Sequence, residues 1–142
     1  MPSINKSEFS QHQPQQIYDL VNNVKSYKEF IPWCVDSLIL DGEADSWMIA
    51  KLTFDFHGIK HGFTTKNQLH PHNRIEISLV DGPFSHLAGN WQFKAQDNGC
   101  LICLELEYSF SHNWLGSIFE PAFIQVSNLL VTAFKERADE IY

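Results

Sequence analysis

Cys100 and Cys103 form a C-x-x-C pair, a spacing used in redox and metal chemistry. They lie in CLICLELEYSF, which reads as a long strand, and residues three apart on a strand point to opposite faces. That geometry forbids chelation by the pair and opposes a disulfide, so both read as small apolar side chains of a sheet. Glu105 and Glu107 share one face of the same strand, about 6.6 Å apart from twice the strand rise. Two carboxylates at that spacing could do acid–base work. They alternate with Leu104, Leu106 and Tyr108, however, which puts them on the solvated side. His57 and His61 straddle Gly58, and His70-Pro71-His72 occupies a turn. No H-E-x-x-H and no paired Cys/His spacing joins them, so no metal site is nominated. A G-x-S-x-G elbow and a Gly-rich phosphate loop are also missing, and no nucleophile has an identifiable base. The chain therefore reads as a non-enzyme without a cofactor.

The elements that position these residues follow from composition and period. The 142 residues suit one domain, 1–142, with one real core. Hydrophobic residues at 44% and charged residues at 19% exclude a disordered chain. No uninterrupted apolar run approaches 18 residues, and the first residues lack a basic segment followed by an apolar one. A cytoplasmic protein is expected, with peripheral contact at the inner membrane as an option. Ten Lys and Arg against 17 Asp and Glu give a net charge of −7. Phosphate neutralisation supplies most nucleic-acid affinity, so binding of naked nucleic acid is disfavoured. An odd count of three cysteines argues against a disulfide framework.

Residues 3–10 read as a strand. Pro14 suits a helix start, and Ile17, Leu20, Val21 and Val24 give that helix one apolar face. A second short helical turn follows and ends at Pro32. From Cys34 to Phe110 the period is two. It predicts a strand from Val35 to Leu40 closed by Asp41-Gly42, then strands through Met48–Phe56, Phe63–Leu69 and Ile75–Leu79. Gly82-Pro83 reads as a tight connection, with the next strand starting near Trp91 and Phe93. Asp97-Asn98-Gly99 is a strong hairpin signal before the last strand. The period then returns to 3.6. Pro121 is expected to break any helix begun at Trp114 and to start another. That helix carries an apolar stripe of Ala122, Phe123, Val126, Leu129, Leu130, Ala133, Phe134, Ala138 and Ile141.

About six antiparallel strands and a helix roughly 30 Å long imply an α+β fold in which the helix covers one face of a curved sheet. Space left between them is a potential apolar cavity. Its candidate lining is Phe54, Phe56, Phe63, Phe84, Leu87, Trp91, Phe93, Phe123, Val126 and Leu130. Tyr27, Phe30 and Trp33 are candidates for a partner contact, since aromatics in loops often mark interaction sites.

Three segments carry a resemblance. LVNNVKSYKEFIPWC (Leu20–Cys34), LVDGPFSHLAGNWQF (Leu79–Phe93) and AFKERADEIY (Ala133–Tyr142) resemble, in spacing and order, the START-like, coenzyme-Q-binding and RatA ribosome-association toxin family. Asn23 and Lys28 stand where that family usually has Asp and Pro. The resemblance implies the helix-grip (START/Bet v 1-like) fold. It also implies an apolar ligand, ubiquinone or a related isoprenoid lipid, bound in support of respiration. The alternative it implies is a toxin that binds the large ribosomal subunit and blocks 70S association. The family also carries a polyketide cyclase/dehydrase label, which no motif here supports.

Overall fold

The computed structural model describes residues 2–142. The chain runs β1 (Ser3–Ser10), α1 (Pro14–Asn22), a 3-10 turn (Val24–Ser26) and α2 (Tyr27–Phe30). It continues through β2 (Cys34–Glu43), β3 (Trp47–Phe56), β4 (Ile59–His70), β5 (Arg74–Asp81), β6 (Phe84–Gln96) and β7 (Gly99–Phe110) to α3 (Asn113–Ile141). All seven strands join one antiparallel sheet in the order β1-β7-β6-β5-β4-β3-β2. Five of the six pairings are between neighbours in sequence. Only β1 crosses over, closing against β7. The alternating strands turn their apolar side chains inward, and α3 lies against that inner face.

The turns form where small polar residues or glycine accept positive φ. His57-Gly58 links β3 to β4 at φ 54° and 88°, and Asp97-Asn98 links β6 to β7 at 46° and 63°. Pro14 opens α1, and the Gln13 N–H donates to Gln16 Oε1 at 2.9 Å. Ile17, Leu20 and Val21 are buried, as the stripe requires.

Several features differ from what the sequence predicts, β4 beginning at Ile59 and β5 running to Asp81 among them. β2 continues past Asp41-Gly42 to Glu43, because a register shift between Ile39 and Asp41 absorbs the irregularity. β6 begins at Phe84 and not near Trp91, since Phe84 pairs with Phe110 and a shift before His86 re-aims the strand. α3 passes through Pro121 unbroken. Proline's fixed φ is itself helical, so the loss is one hydrogen bond and a crowded preceding turn. Contacts just before Pro121 hold the segment in line. The Phe119 ring lies 4.8 Å from His61, and the Tyr108 hydroxyl donates to Glu120 Oε2 at 2.7 Å. Burial first, and then that carboxylate, push the Tyr108 hydroxyl up to about 12. Finally, Ile141 is exposed, while Ser127 and Val131 are buried. The buried stripe runs from Ala122 to Ala138, and the last residues lie against α1, where the Tyr142 hydroxyl donates to the Gln16 carbonyl at 3.0 Å.

α3 also has the length and apolarity of a membrane span, with a mean hydropathy of 1.3 over 18 residues, one third of them buried. Its inner face accounts for much of that apolarity. Phe134 is fully buried and meets Tyr27, Phe30 and Trp91 edge-on at 5.2, 5.5 and 5.3 Å. Ring pairs in this geometry add to the stabilisation from buried area. Outward-facing Trp114, Ile118 and Ile124 remain exposed.

Two glycines permit close approach. Gly82 has φ 152°, and a Cβ there would sit 2.8 Å from Phe63 Cβ. At Gly89 a Cβ would fall 1.9 Å from the Glu105 carbonyl oxygen. Gly89→Ala should therefore lower stability by roughly 1–3 kcal/mol or more, as overpacking against backbone does. Urea denaturation measures this, and an unchanged midpoint would contradict so close an approach of β6 to β7.

Candidate functional site

Between α3 and the sheet lies a cavity of about 90 Å³. Two aromatic groups bracket it. At one end Phe123 meets Phe63, Phe84, Tyr108 and Phe110 at ring distances of 6.5, 5.1, 4.8 and 6.3 Å. At the other end stands Phe134 with its three partners. Between them α3 presents the smaller Val126, Ser127 and Leu130, and the sheet presents Ala50, Leu52, Leu104 and Leu106. The rings act as spacers, and the shorter side chains leave the gap.

The polar groups of the wall are few and concentrated. β4 turns His61, Phe63, Thr65 and Asn67 inward, and Ser127 adds a hydroxyl from α3. The Thr65 hydroxyl donates to Asn67 Oδ1 at 3.0 Å. His61 Nδ1 is buried without a hydrogen-bond partner. Burial lowers the His61 pKa below its ordinary 6.5, so the ring is neutral at physiological pH. Tyr27 also lines the cavity, with its hydroxyl donating to the Val21 carbonyl. Lys, Arg, Asp and Glu do not contribute to the wall. Such a site can hold neutral apolar matter and offer it a few hydrogen bonds.

Of the residues nominated from sequence, Phe54, Phe63, Leu87, Trp91, Phe123, Val126 and Leu130 line the cavity. Phe56, Phe84 and Phe93 do not. Phe56 packs on Trp33 at 4.7 Å, Phe84 stacks on Phe110 at 4.8 Å, and Phe93 meets Tyr18 at 5.8 Å. Each shares the inward face, but Phe56 lies against Trp33, Phe84 belongs to the Phe123 cluster and Phe93 lies beside α1. Tyr27, nominated for a partner, is 7% exposed and belongs to the cavity wall instead. Phe30 is half-buried between Phe134 and the Arg137 guanidinium, 5.0 Å from its ring. Trp33 is half-buried at φ 61°, and its carbonyl accepts from Asp55 N–H at 2.9 Å. His61, considered from sequence only as a metal ligand, lies on the cavity wall, where alternation back from Phe63 puts it on the inward face.

Cys100 is fully buried and Cys103 is half-exposed, on opposite faces of β7. Burial pushes the Cys34 and Cys100 thiols up to about 11, far from the thiolate that reactive chemistry needs. Glu105 and Glu107 are exposed on the outer face.

The volume sets a limit. Bulk water occupies about 30 Å³ per molecule, whereas drug-sized ligands occupy sites of about 300–1,000 Å³. A ligand of that size requires the wall side chains to move apart.

The depressed His61 pKa has a stability consequence. The unfolded chain binds its proton more readily, so stability is full above about pH 6.5 and falls as pH drops toward the folded value. Between pH 7.5 and 5.5 the wild-type melting temperature should fall further than that of His61→Gln. Equal falls, read by circular dichroism, would contradict a buried neutral imidazole.

The chain is 39% identical over 140 residues to the ribosome association toxin RatA of Pseudomonas aeruginosa, covering 98% of this chain and 96% of that protein. It is 30% identical over 131 residues to the mitochondrial coenzyme Q-binding protein COQ10 of Dictyostelium discoideum, covering 89% of this chain and 64% of that one. The structure of a START superfamily protein from Mycobacterium smegmatis superposes with a TM-score of 0.78 at 16% identity, covering 99% of both chains, which shows the shared helix-grip fold. The family model described as polyketide cyclase / dehydrase and lipid transport matches residues 10–135, and the chain belongs to that family.

Proposed function

We propose that this chain binds a neutral apolar ligand, of the quinone or isoprenoid class, between α3 and the sheet, and does not transform it. The observation that carries this reading is the cavity wall itself, apolar except for a few uncharged polar side chains: a row on β4, Ser127 on α3 and Tyr27 on α2. Transfer of apolar surface from water supplies the affinity. Burying ~300 Å² at about 25 cal/mol per Å² provides roughly 7 kcal/mol before the losses of association. Only His61 and Tyr27 on the wall titrate, and the Tyr27 hydroxyl is engaged with Val21. Acid–base turnover needs a poised donor and acceptor pair, so binding is favoured over catalysis. The likeness to a coenzyme Q-binding protein agrees with this ligand class.

A second reading rests on the near full-length similarity to a ribosome association toxin. In it the chain contacts the large ribosomal subunit and blocks subunit joining. With a net charge of −7, a basic ribosomal protein is a more favourable contact than RNA. Exposed Val35, Leu38 and Leu40 on the β2 edge and Trp114 on α3 offer apolar surface for such a contact.

Leu130→Trp, which fills the cavity from the helix side, should weaken binding of a short-tailed ubiquinone by at least about tenfold while the fold is kept. Quenching of Trp91, on the cavity wall, by the quinone reports it. Wild-type protein whose fluorescence and melting temperature ignore the quinone would defeat the first reading. For the second, overproduction should reduce the 70S fraction in a sucrose gradient. An unchanged profile would contradict it.

A further inference from the structure

The distribution of polarity along β4 says more about the ligand than its being apolar. Thr65 and Asn67 hydrogen-bond each other, whereas His61 Nδ1 is buried and unpartnered. Thr65 lies four positions beyond His61, about 13 Å along a strand. His61 therefore stands apart, at the end of the cavity nearest Phe119, with Phe54 and Phe119 rings at 6.2 and 4.8 Å. A buried donor or acceptor left unmade is unfavourable, and structures satisfy such groups with protein, water or ligand. His61 lines the cavity, so an apolar ligand leaves that deficit, while an oxygen atom that meets Nδ1 after a turn of the ring removes it.

Charge narrows the class further. No cationic side chain lines the cavity, and His61 is held neutral by its burial among rings. A carboxylate or phosphate drawn into this space loses its hydration and finds no counter-charge. A hydroxyl, ether or ketone oxygen needs only one hydrogen bond. The neutral imidazole can donate to a carbonyl or accept from a hydroxyl, according to its tautomer.

We propose that His61 is the anchor for the polar end of the ligand, and that it selects neutral oxygenated molecules, alcohols or ketones, against fatty-acid-like anions. This rests on the apolar-ligand reading and specifies which end of the ligand lies beside Phe119. His61 is a specificity residue here, with no part in bond making or breaking.

Three probes with one carbon skeleton test it by equilibrium dialysis at pH 8: geraniol, geranic acid and 2,6-dimethylocta-2,6-diene. Wild-type protein should bind geraniol roughly three- to tenfold more tightly than the hydrocarbon, the worth of one hydrogen bond, and geranic acid least. His61→Phe should bring geraniol down to the hydrocarbon's affinity. His61→Gln, which restores a polar tip, should recover part of the difference and guards against a folding artefact of the Phe variant. If all three probes bind but geranic acid equals geraniol, or His61→Phe leaves geraniol unchanged, the anchor is refuted and the apolar-ligand reading stands. If none of the three binds the wild type, both are overturned.

Discussion

Phe123 and Phe134 lie eleven residues apart on α3, about 16 Å along the helix axis, and each is wedged among rings from the sheet or from α2. Aromatic side chains are too large to let the helix settle onto the strands at either point. The intervening positions carry Val126, Ser127 and Leu130, which are too small to fill the gap so created. A helix held off a curved sheet at two points leaves a cavity between them. The rest of the structure serves that arrangement: β6 brings Trp91 to one wedge, α2 brings Tyr27 and Phe30, and the Tyr108–Glu120 hydrogen bond fixes the helix beyond the other. Deleting Phe134 would therefore remove more than its own buried area, because three rings lose their common partner.

The same constraint decides what chemistry the site can support. A wall assembled from the inward faces of strands and one helix stripe is apolar, since those are the faces the hydrophobic effect turns inward. Charged side chains alternate to the outer face, where Glu105 and Glu107 stand in solvent. What remains inside is a short row of neutral polar groups on β4, with one nitrogen unsatisfied. The family includes proteins described as cyclases or dehydrases as well as lipid transporters. One scaffold can serve both ends, because function lies in the groups on the wall and not in the fold.

Much of this was legible in the sequence. Period-two alternation located the strands, and Asp97-Asn98-Gly99 located a hairpin, because both depend on local stereochemistry. The stripe around Phe134 found the gripping helix. Pro121 misled, since its effect depends on tertiary contacts at Phe119 and Glu120 that no local pattern reveals. The start of β6 was missed because Phe84 joins the sheet through a register shift opposite Phe110. Alternation tells which face a residue takes but not how far along the sheet α3 reaches. Phe56, Phe84 and Phe93 were therefore assigned to the cavity, and Tyr27 to the surface. His61, weighed in the sequence only as a metal ligand, was not placed on the cavity wall because a histidine beside a turn resembles a surface residue until its packing against Phe119 is known.

Native mass spectrometry of the protein purified from its own host tests the central claim most directly, because it weighs whatever occupies the space between the wedges. The account predicts a complex heavier than the chain by the mass of one neutral isoprenoid or quinone, released on mild activation. Protein that flies only at its chain mass, and stays so after incubation with quinone, would contradict it.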